Sequence, residues 1–287
     1  MNNTVKHTIK TALLGAVLAV SAVQAGVPLN SFQGTGGLGY NPIAYVAGSY
    51  ASNPTNKFEE LVSRPQVGLW YISFYEESIN WTAASASFSV AKRLELSYGY
   101  GVIGNATPDL INTHNLGAKY NLIPENSLET KWIPAVSVGG IYKHTSSDLL
   151  TRGVGLKKDG GDFYAVASKL ITQTPLPVLI SGGLLATDEY VYGVLGHGNY
   201  DVTGIGSITV LPLSNVGVGV EYKQGADIGN SAAGKLGNAD YWNLHVAWFV
   251  NDSLSVVAAY GYTGDRNNGL DEKGLGQALA LSVQYGF

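Results

Sequence analysis

Along most of the chain, large apolar residues alternate with small or polar ones at a period of two, the signature of strands with two chemically different faces. Leu94, Leu96, Tyr98, Tyr100 and Val102 stand against Arg93, Glu95, Ser97, Gly99 and Gly101. Val216, Val218, Val220 and Tyr222 oppose Asn215, Gly217, Gly219, Glu221 and Lys223, and Trp242, Leu244, Val246, Trp248 and Val250 oppose Tyr241, Asn243, His245, Ala247 and Phe249. The last residues continue the pattern: Leu279, Leu281, Val283, Tyr285 and Phe287 alternate with Ala278, Ala280, Ser282, Gln284 and Gly286. The periodicity predicts strands near 66–75, 81–91, 93–102, 111–121, 132–143, 162–171, 178–187, 203–211, 214–223, 240–250, 253–263 and 276–287. Two more candidates, 29–36 and 43–51, bring the expected number to fourteen.

The connections alternate in length. Short joins such as Ala91-Lys92-Arg93 and Leu211 to Ser214 interleave with long ones at 103–110, 144–161, 188–202, 224–239 and 264–275. Short turns at one rim and long loops at the other, with an even strand number, are how outer-membrane barrels are built. Segments 52–65 and 122–131 break that rule. The expected fold is an all-β, closed antiparallel transmembrane β-barrel of fourteen strands. The alternative is twelve strands, with Gly26 to Ala51 folded into the lumen as a plug.

Composition strengthens this reading. Only 13% of residues are charged, against 37 Gly and 18 Tyr, whereas a water-soluble domain carries about 25% charged residues. Large aromatics gather at predicted strand ends, with Tyr98, Tyr100, Tyr142, Tyr164, Tyr222 and Trp242 toward the long loops and Tyr120, Trp132, Trp248, Tyr285 and Phe287 toward the short turns. Two such belts mark two membrane interfaces. A bilayer offers backbone groups no water, so a sheet within it must close and the last strand becomes its seam. The terminal Val283, Tyr285 and Phe287 resemble the assembly signal that implies recognition by the barrel insertion machinery.

Residues 1–25 carry Lys6 and Lys10, an apolar run over Thr11 to Val23 and small residues at Val23-Gln24-Ala25. This reads as a secretory signal peptide, leaving residues 26–287 as one barrel domain. Without Lys6 and Lys10, 15 basic side chains remain against 21 acidic ones, a formal charge of −6. That balance gives nucleic acid no electrostatic foothold. The chain has no cysteine, so disulfides and thiolate metal sites are excluded.

The stretches GVPLNSFQGTGGLGYNPIAYVAG, KWIPAVSVGGIYKH, DFYAVASKL, GVGVEYK and LSVQYGF together resemble a family of proteobacterial outer-membrane β-barrel proteins catalogued as a domain of unknown function. The resemblance covers nearly all of the chain after residue 25. It implies one barrel in the outer membrane of a Gram-negative bacterium, in contact with outer-membrane lipid, and brings no catalytic residues, cofactor or metal.

Gly34 to Gly39 matches G-x-G-x-x-G literally, but lacks the strand before and helix after it that dinucleotide binding requires. A tight turn or a glycine segment packed inside the barrel suits it better. Asp159 and Asp162, with Asp148, have oxygens suited to calcium, although a solvated acidic loop explains them as well. No Ser-His-acid set stands out around His114, His144, His197 or His245, so no enzyme is expected. The chemistry left is the inward face: Arg93, Glu95, Lys119, Lys143, Lys169, Glu221, Lys223, Tyr241 and His245 are the expected pore-lining residues. Five positive charges against two imply a weak preference for anions. Adjacent-strand ion pairs such as Glu95 with Lys119 are the structural alternative. The expected function is passage of small solutes across the outer membrane; the rival is a non-conducting structural or surface-interaction barrel.

Overall fold

The computed structural model describes residues 28–104, 110–146, 155–191, 193–196, 198–231, 234–265 and 271–287. The expected signal peptide, Asp148 and His197 lie outside these residues. Among them, the alternation yields strands β1 (Gln66–Phe74), β2 (Ile79–Val90), β3 (Leu94–Gly104), β4 (Ile111–Ile123), β5 (Ala135–Ser146), β6 (Asp159–Ile171) and β7 (Val178–Thr187). Two short strands follow, β8 (Glu189–Val191) and β9 (Val194–Leu195), then β10 (Asp201–Leu213) and β11 (Val216–Lys223). The short β12 (Asp227–Ser231) and β13 (Gly234–Gly237) precede β14 (Tyr241–Phe249), β15 (Leu254–Tyr262) and β16 (Gln277–Gly286).

Twelve of these form one closed antiparallel barrel in the order β1-β16-β15-β14-β11-β10-β7-β6-β5-β4-β3-β2. The seam runs from Gln66 opposite Gly286 to Phe74 opposite Ala278 without a register shift. No edge is left unpaired, as the bilayer demands. The period-two pattern becomes two faces: in β14 the residues from Tyr241 to Phe249 are alternately buried and exposed. The outward side presents Leu116, Leu244, Val246, Leu281 and Trp248, while serines and threonines such as Ser85, Ser97, Ser181, Thr209 and Ser282 are buried on the inward side.

The expected fourteen strands are therefore twelve, and residues 29–36 and 43–51 are not in the wall. The β1–β16 ladder already closes the sheet, so no edge remains for them to join. Their backbone groups instead meet polar side chains inside the barrel. Segment 52–65 is then no turn between strands but the link from lumen to wall, and carries helix α1 (Lys57–Leu61), capped by Asn56 accepting from Glu59 N at 3.0 Å. Segment 122–131 is a genuine long turn on the short-turn side, folded by Asn126 N donating to Ile133 O at 3.0 Å.

Leu281 lies midway along the seam strand and is half exposed on the outward face. Placing a cation there costs about 2–4 kcal/mol near the bilayer midplane. Leu281→Arg is expected to lower the unfolding free energy in lipid vesicles by that amount; a change below about 0.5 kcal/mol would contradict the outward facing of this strand.

Candidate functional site

The lumen is occupied by residues 28–50, which enter and leave on the short-turn side. Ser255 donates to Pro28 O at 2.6 Å near the start of β15, and Tyr50 bonds Ser89 at 3.1 Å near the end of β2. Between these points the segment folds back on itself through bridges pairing Asn30 with Gly36 and Gly37 with Pro42. It is a re-entrant stopper rather than a strand. Its entry is fixed by Trp70 Nε1 donating to Asn30 O at 2.9 Å and by Asn30 N donating to Gln284 Oε1 at 2.5 Å. Phe32 packs on Trp70 and Trp81, with ring centroids 6.3 and 4.6 Å away.

Two wall carboxylates hold the turns of the stopper. Glu95 accepts from Gly36 N and from Ala47 N, both at 2.8 Å, while Lys119 pairs with Glu95 at 2.8 Å and donates to Gly36 O at 3.0 Å. Glu221 has no cation beside it and is satisfied by Asn41 N at 2.5 Å, Tyr40 N at 3.2 Å, Tyr241 Oη at 3.3 Å and the Asn243 amide. Buried carboxylates need such donors, because desolvation leaves an unmatched charge very costly. The literal G-x-G-x-x-G is thereby explained. Gly34 has φ +104° against the backbone of Tyr98 and Gly99, and a Cβ on Gly36 would fall 2.7 Å from Glu95 Oε2. The glycines let the stopper backbone reach the wall.

A third carboxylate, Glu189 of β8, joins stopper, wall and outer mouth. It accepts from Tyr40 Oη at 2.7 Å, Lys143 Nζ at 2.5 Å and Gln33 Nε2 at 3.4 Å, and from Gly193 N within its own hairpin. The β8–β9 hairpin packs Tyr190 and Val194 against Ile228 and Leu236 of β12 and β13 in a small apolar cluster with Leu156. These hairpins form a lid. Outside it, a bay of about 480 Å³ is lined by Asp201, Asp227, Lys235, Asp240 and Asp271. Burial opposes ionisation of Glu189, but Lys143 outweighs it and holds the carboxyl below the usual range. Beside it, burial raises the Asp188 carboxyl, whose Oδ2 has no hydrogen-bond partner among the described residues.

Of the expected pore-lining residues, Glu95, Lys119, Lys143, Glu221, Lys223, Tyr241 and His245 all face inward and are buried. His245 bonds Thr209 at 3.0 Å and Asn243 at 2.9 Å. Arg93 sits at the rim, donating to the carbonyls of Asn121 and Leu122 at 2.9 and 3.1 Å. Lys169 is a correction: it points outward and pairs with Glu125 at 3.1 Å and Asn126 at 2.5 Å. The inward residues of β6 are Asp162, Tyr164, Val166, Ser168 and Leu170. Apolar groups lie on both faces of this strand, so alternation alone misplaces it. Tyr164 therefore does not belong to the outer aromatic belt; its ring fills the space over Gly139, where a Cβ would lie 2.5 Å from Tyr164 Cζ.

The pattern of the sequence does not point to Asp162, which pairs with Lys143 at 2.6 Å, or to Glu189, which stands on the short β8 within the expected long connection 188–202. With these added and Lys169 removed, the inward positive charges no longer outnumber the negative, and the expected anion preference loses its basis. Asp159 and Asp162 face opposite sides of the wall, so they do not share a calcium ion. Asp159 instead bonds His144 at 2.8 Å, a pair formed by residues opposite each other on adjacent strands. Only strand register brings these two together. No cluster of three or more metal-ligating side chains occurs among the described residues.

Glu189 supplies the test of this arrangement. Since its carboxyl is held low, its contribution is in place above the ordinary glutamate range, roughly pH 4.3, and is lost as pH falls below it. A hydrogen bond to a charged group contributes about 1.5–3 kcal/mol. Glu189→Gln is expected to lower amide-exchange protection of residues 28–50 about 10- to 100-fold at neutral pH, with wall amides unchanged. Unaltered protection would contradict the role of Glu189 as the tie.

Comparison with known proteins places this architecture. No curated protein matches the chain. Among solved structures, a KdgM porin is similar at 13% identity and TM-score 0.50, over 77% of this chain and 99% of that one. A NanC porin is similar at 13% identity and TM-score 0.51, over 78% and 100%. The shared feature is the outer-membrane porin-like barrel fold. A family model described as a protein of unknown function, DUF3034, matches residues 26–277, and the chain belongs to that family.

Proposed function

We propose that the protein is an outer-membrane channel for small solutes, held shut by its own re-entrant segment 28–50 and opened when that segment withdraws toward the periplasm. The observation that carries this reading is that the wall is complete without the stopper: β1 pairs β16 along its whole length, and no stopper residue belongs to a wall strand. Eight strands leave room only for side chains, whereas sixteen leave an aqueous channel. Twelve fall between, and this wall carries small inward residues such as Ser85, Ser97, Ser181 and Ser207 that do not fill the space themselves. A separate segment fills it instead.

Segment 28–50 runs on into the wall through α1 and is otherwise held by side-chain bonds rather than by strand pairing, so it can leave the lumen without unpairing a strand. Its removal leaves Glu95 paired with Lys119, and leaves Glu221 with Asn243 and Tyr241. The terminal Val283, Tyr285 and Phe287 serve as the assembly signal, with the last two rings packed edge to face at 5.1 Å. The rival, a non-conducting barrel, is favoured by one observation: with stopper and lid in place, the lumen beside the stopper holds cavities of about 50 and 40 Å³, too small for a solute.

Conductance in planar bilayers separates the two. Deleting residues 28–50 is expected to leave a heat-modifiable barrel with unitary conductance several-fold above that of the full chain. A folded but silent deletion variant would overturn the channel reading in favour of the non-conducting one.

A further inference from the structure

On the outward face of the wall, at the long-loop ends of β5 and β6, the pair formed by His144 and Asp159 has a third neighbour. His144 Nδ1 lies 2.8 Å from Asp159 Oδ1, and Tyr142 donates its phenol to the same oxygen at 2.5 Å. A carboxylate on Nδ1 fixes the imidazole tautomer and leaves Nε2 as the basic nitrogen. Nε2 takes no hydrogen bond among the described residues. Ser146 is the next outward-facing residue along β5, about 7 Å farther on at 3.3–3.4 Å per residue. Its Oγ accepts from Asn112 N at 3.0 Å and donates only weakly, at 3.4 Å, to Asn112 O.

The surroundings suit an ester substrate held in lipid. His114, opposite His144 on β4, packs 6.1 Å from it and bonds Tyr98 Oη at 2.8 Å. Tyr98, Leu116 and Tyr142 form the exposed apolar rung on the bilayer side, and such aromatic belts sit where headgroups meet acyl chains. Tyr100 donates to Asn112 Oδ1 at 3.1 Å and so orients the Asn112 amide at the same spot. An exposed polar contact of this kind contributes only about 0–1 kcal/mol, so stability gives little reason for a carboxylate, an imidazole and a hydroxyl to be ordered here. Acid, base and hydroxyl on neighbouring positions are the parts of a serine hydrolase, recognised by geometry rather than by fold.

We propose that Ser146, His144 and Asp159 form a hydrolase site on the outer face of the barrel that cleaves carboxylic esters of outer-leaflet lipids. Ser146 Oγ turns from Asn112 and attacks the ester carbonyl carbon while its proton passes to His144 Nε2. The bond from that carbon to the alcohol oxygen breaks, and the leaving oxygen takes the proton back from His144. Water then gives a proton to His144 as it attacks the acyl carbon, the bond from that carbon to Ser146 Oγ breaks to release the fatty acid, and His144 returns the proton to Ser146 Oγ. Asp159 stabilises the transient imidazolium. The Asn112 backbone N–H, which donates to Ser146 Oγ at 3.0 Å and is freed when Ser146 turns, serves as a donor to the developing oxyanion.

The test uses the full chain, purified in detergent and shown to be folded by its heat-modifiable migration. A fluorophosphonate probe is applied and the adduct mapped by peptide mass spectrometry. Separately, fatty-acid release is measured from mixed micelles of phospholipid and from lipopolysaccharide, which distinguishes the two sources of ester. The expected results are an adduct on Ser146 and release from at least one lipid. Ser146→Ala should abolish both, and His144→Asn should slow release about 100-fold or more, the scale of lost general-base catalysis. Because Ser146 lies outside the lumen, conductance of Ser146→Ala should match that of the unmodified protein. No adduct at Ser146 on the folded barrel, or no lipid release that Ser146→Ala removes, overturns the proposal.

Discussion

A carboxylate sealed inside a protein must be matched by donors, and Glu95, Glu189 and Glu221 draw theirs largely from a segment outside the wall. Glu95 binds the stopper at Gly36 and Ala47, Glu221 binds it at Tyr40 and Asn41, and Glu189 takes the Tyr40 hydroxyl. The arrangement depends on these few charge-assisted, directional bonds. They hold a backbone that shares no ladder with the wall. The same feature makes the stopper separable, because wall–wall pairing does not pass through it.

The wall obeys a different constraint. Within a bilayer each backbone donor and acceptor needs a partner in the protein, and the β1–β16 seam provides the last of them. What remains variable is the chemistry of the two faces. Inside, ion pairs such as Lys143 with Asp162 and Lys119 with Glu95 balance charge at full burial. Outside, apolar side chains give way near the long loops to the Tyr98, His114, His144 and Asp159 network. One barrel thus offers two places for chemistry, separated by the thickness of a sheet.

The sequence made the twelve wall strands legible because outward residues such as Leu96 and Tyr98 differ sharply from inward Glu95 and Ser97. It misled at β6, where Tyr164 and Phe163, or Ala165 and Val166, are apolar on both faces. Period-two counting there has no contrast to fix its phase, and Lys169 was placed on the wrong side. Residues 29–36 and 43–51 read as strands for a related reason. Lining a lumen beside Trp70, Trp81 and Leu179 selects apolar residues much as a wall does, and periodicity cannot distinguish a wall from what fills it. Glu189 and Asp162 were hidden because their partners are far along the chain and meet only after closure.

The absence of cysteine in the chain permits a direct test of the stopper as the gate. Ala44 N lies 2.8 Å from Ser168 Oγ, joining the returning arm of the stopper to β6. In Ala44→Cys, Ser168→Cys protein, a disulfide would fix that arm to the wall, and single-channel recordings can be taken before and after reduction. The account predicts silence in the oxidised form and channel openings once the bond is reduced. Equal conductance in both forms would contradict it.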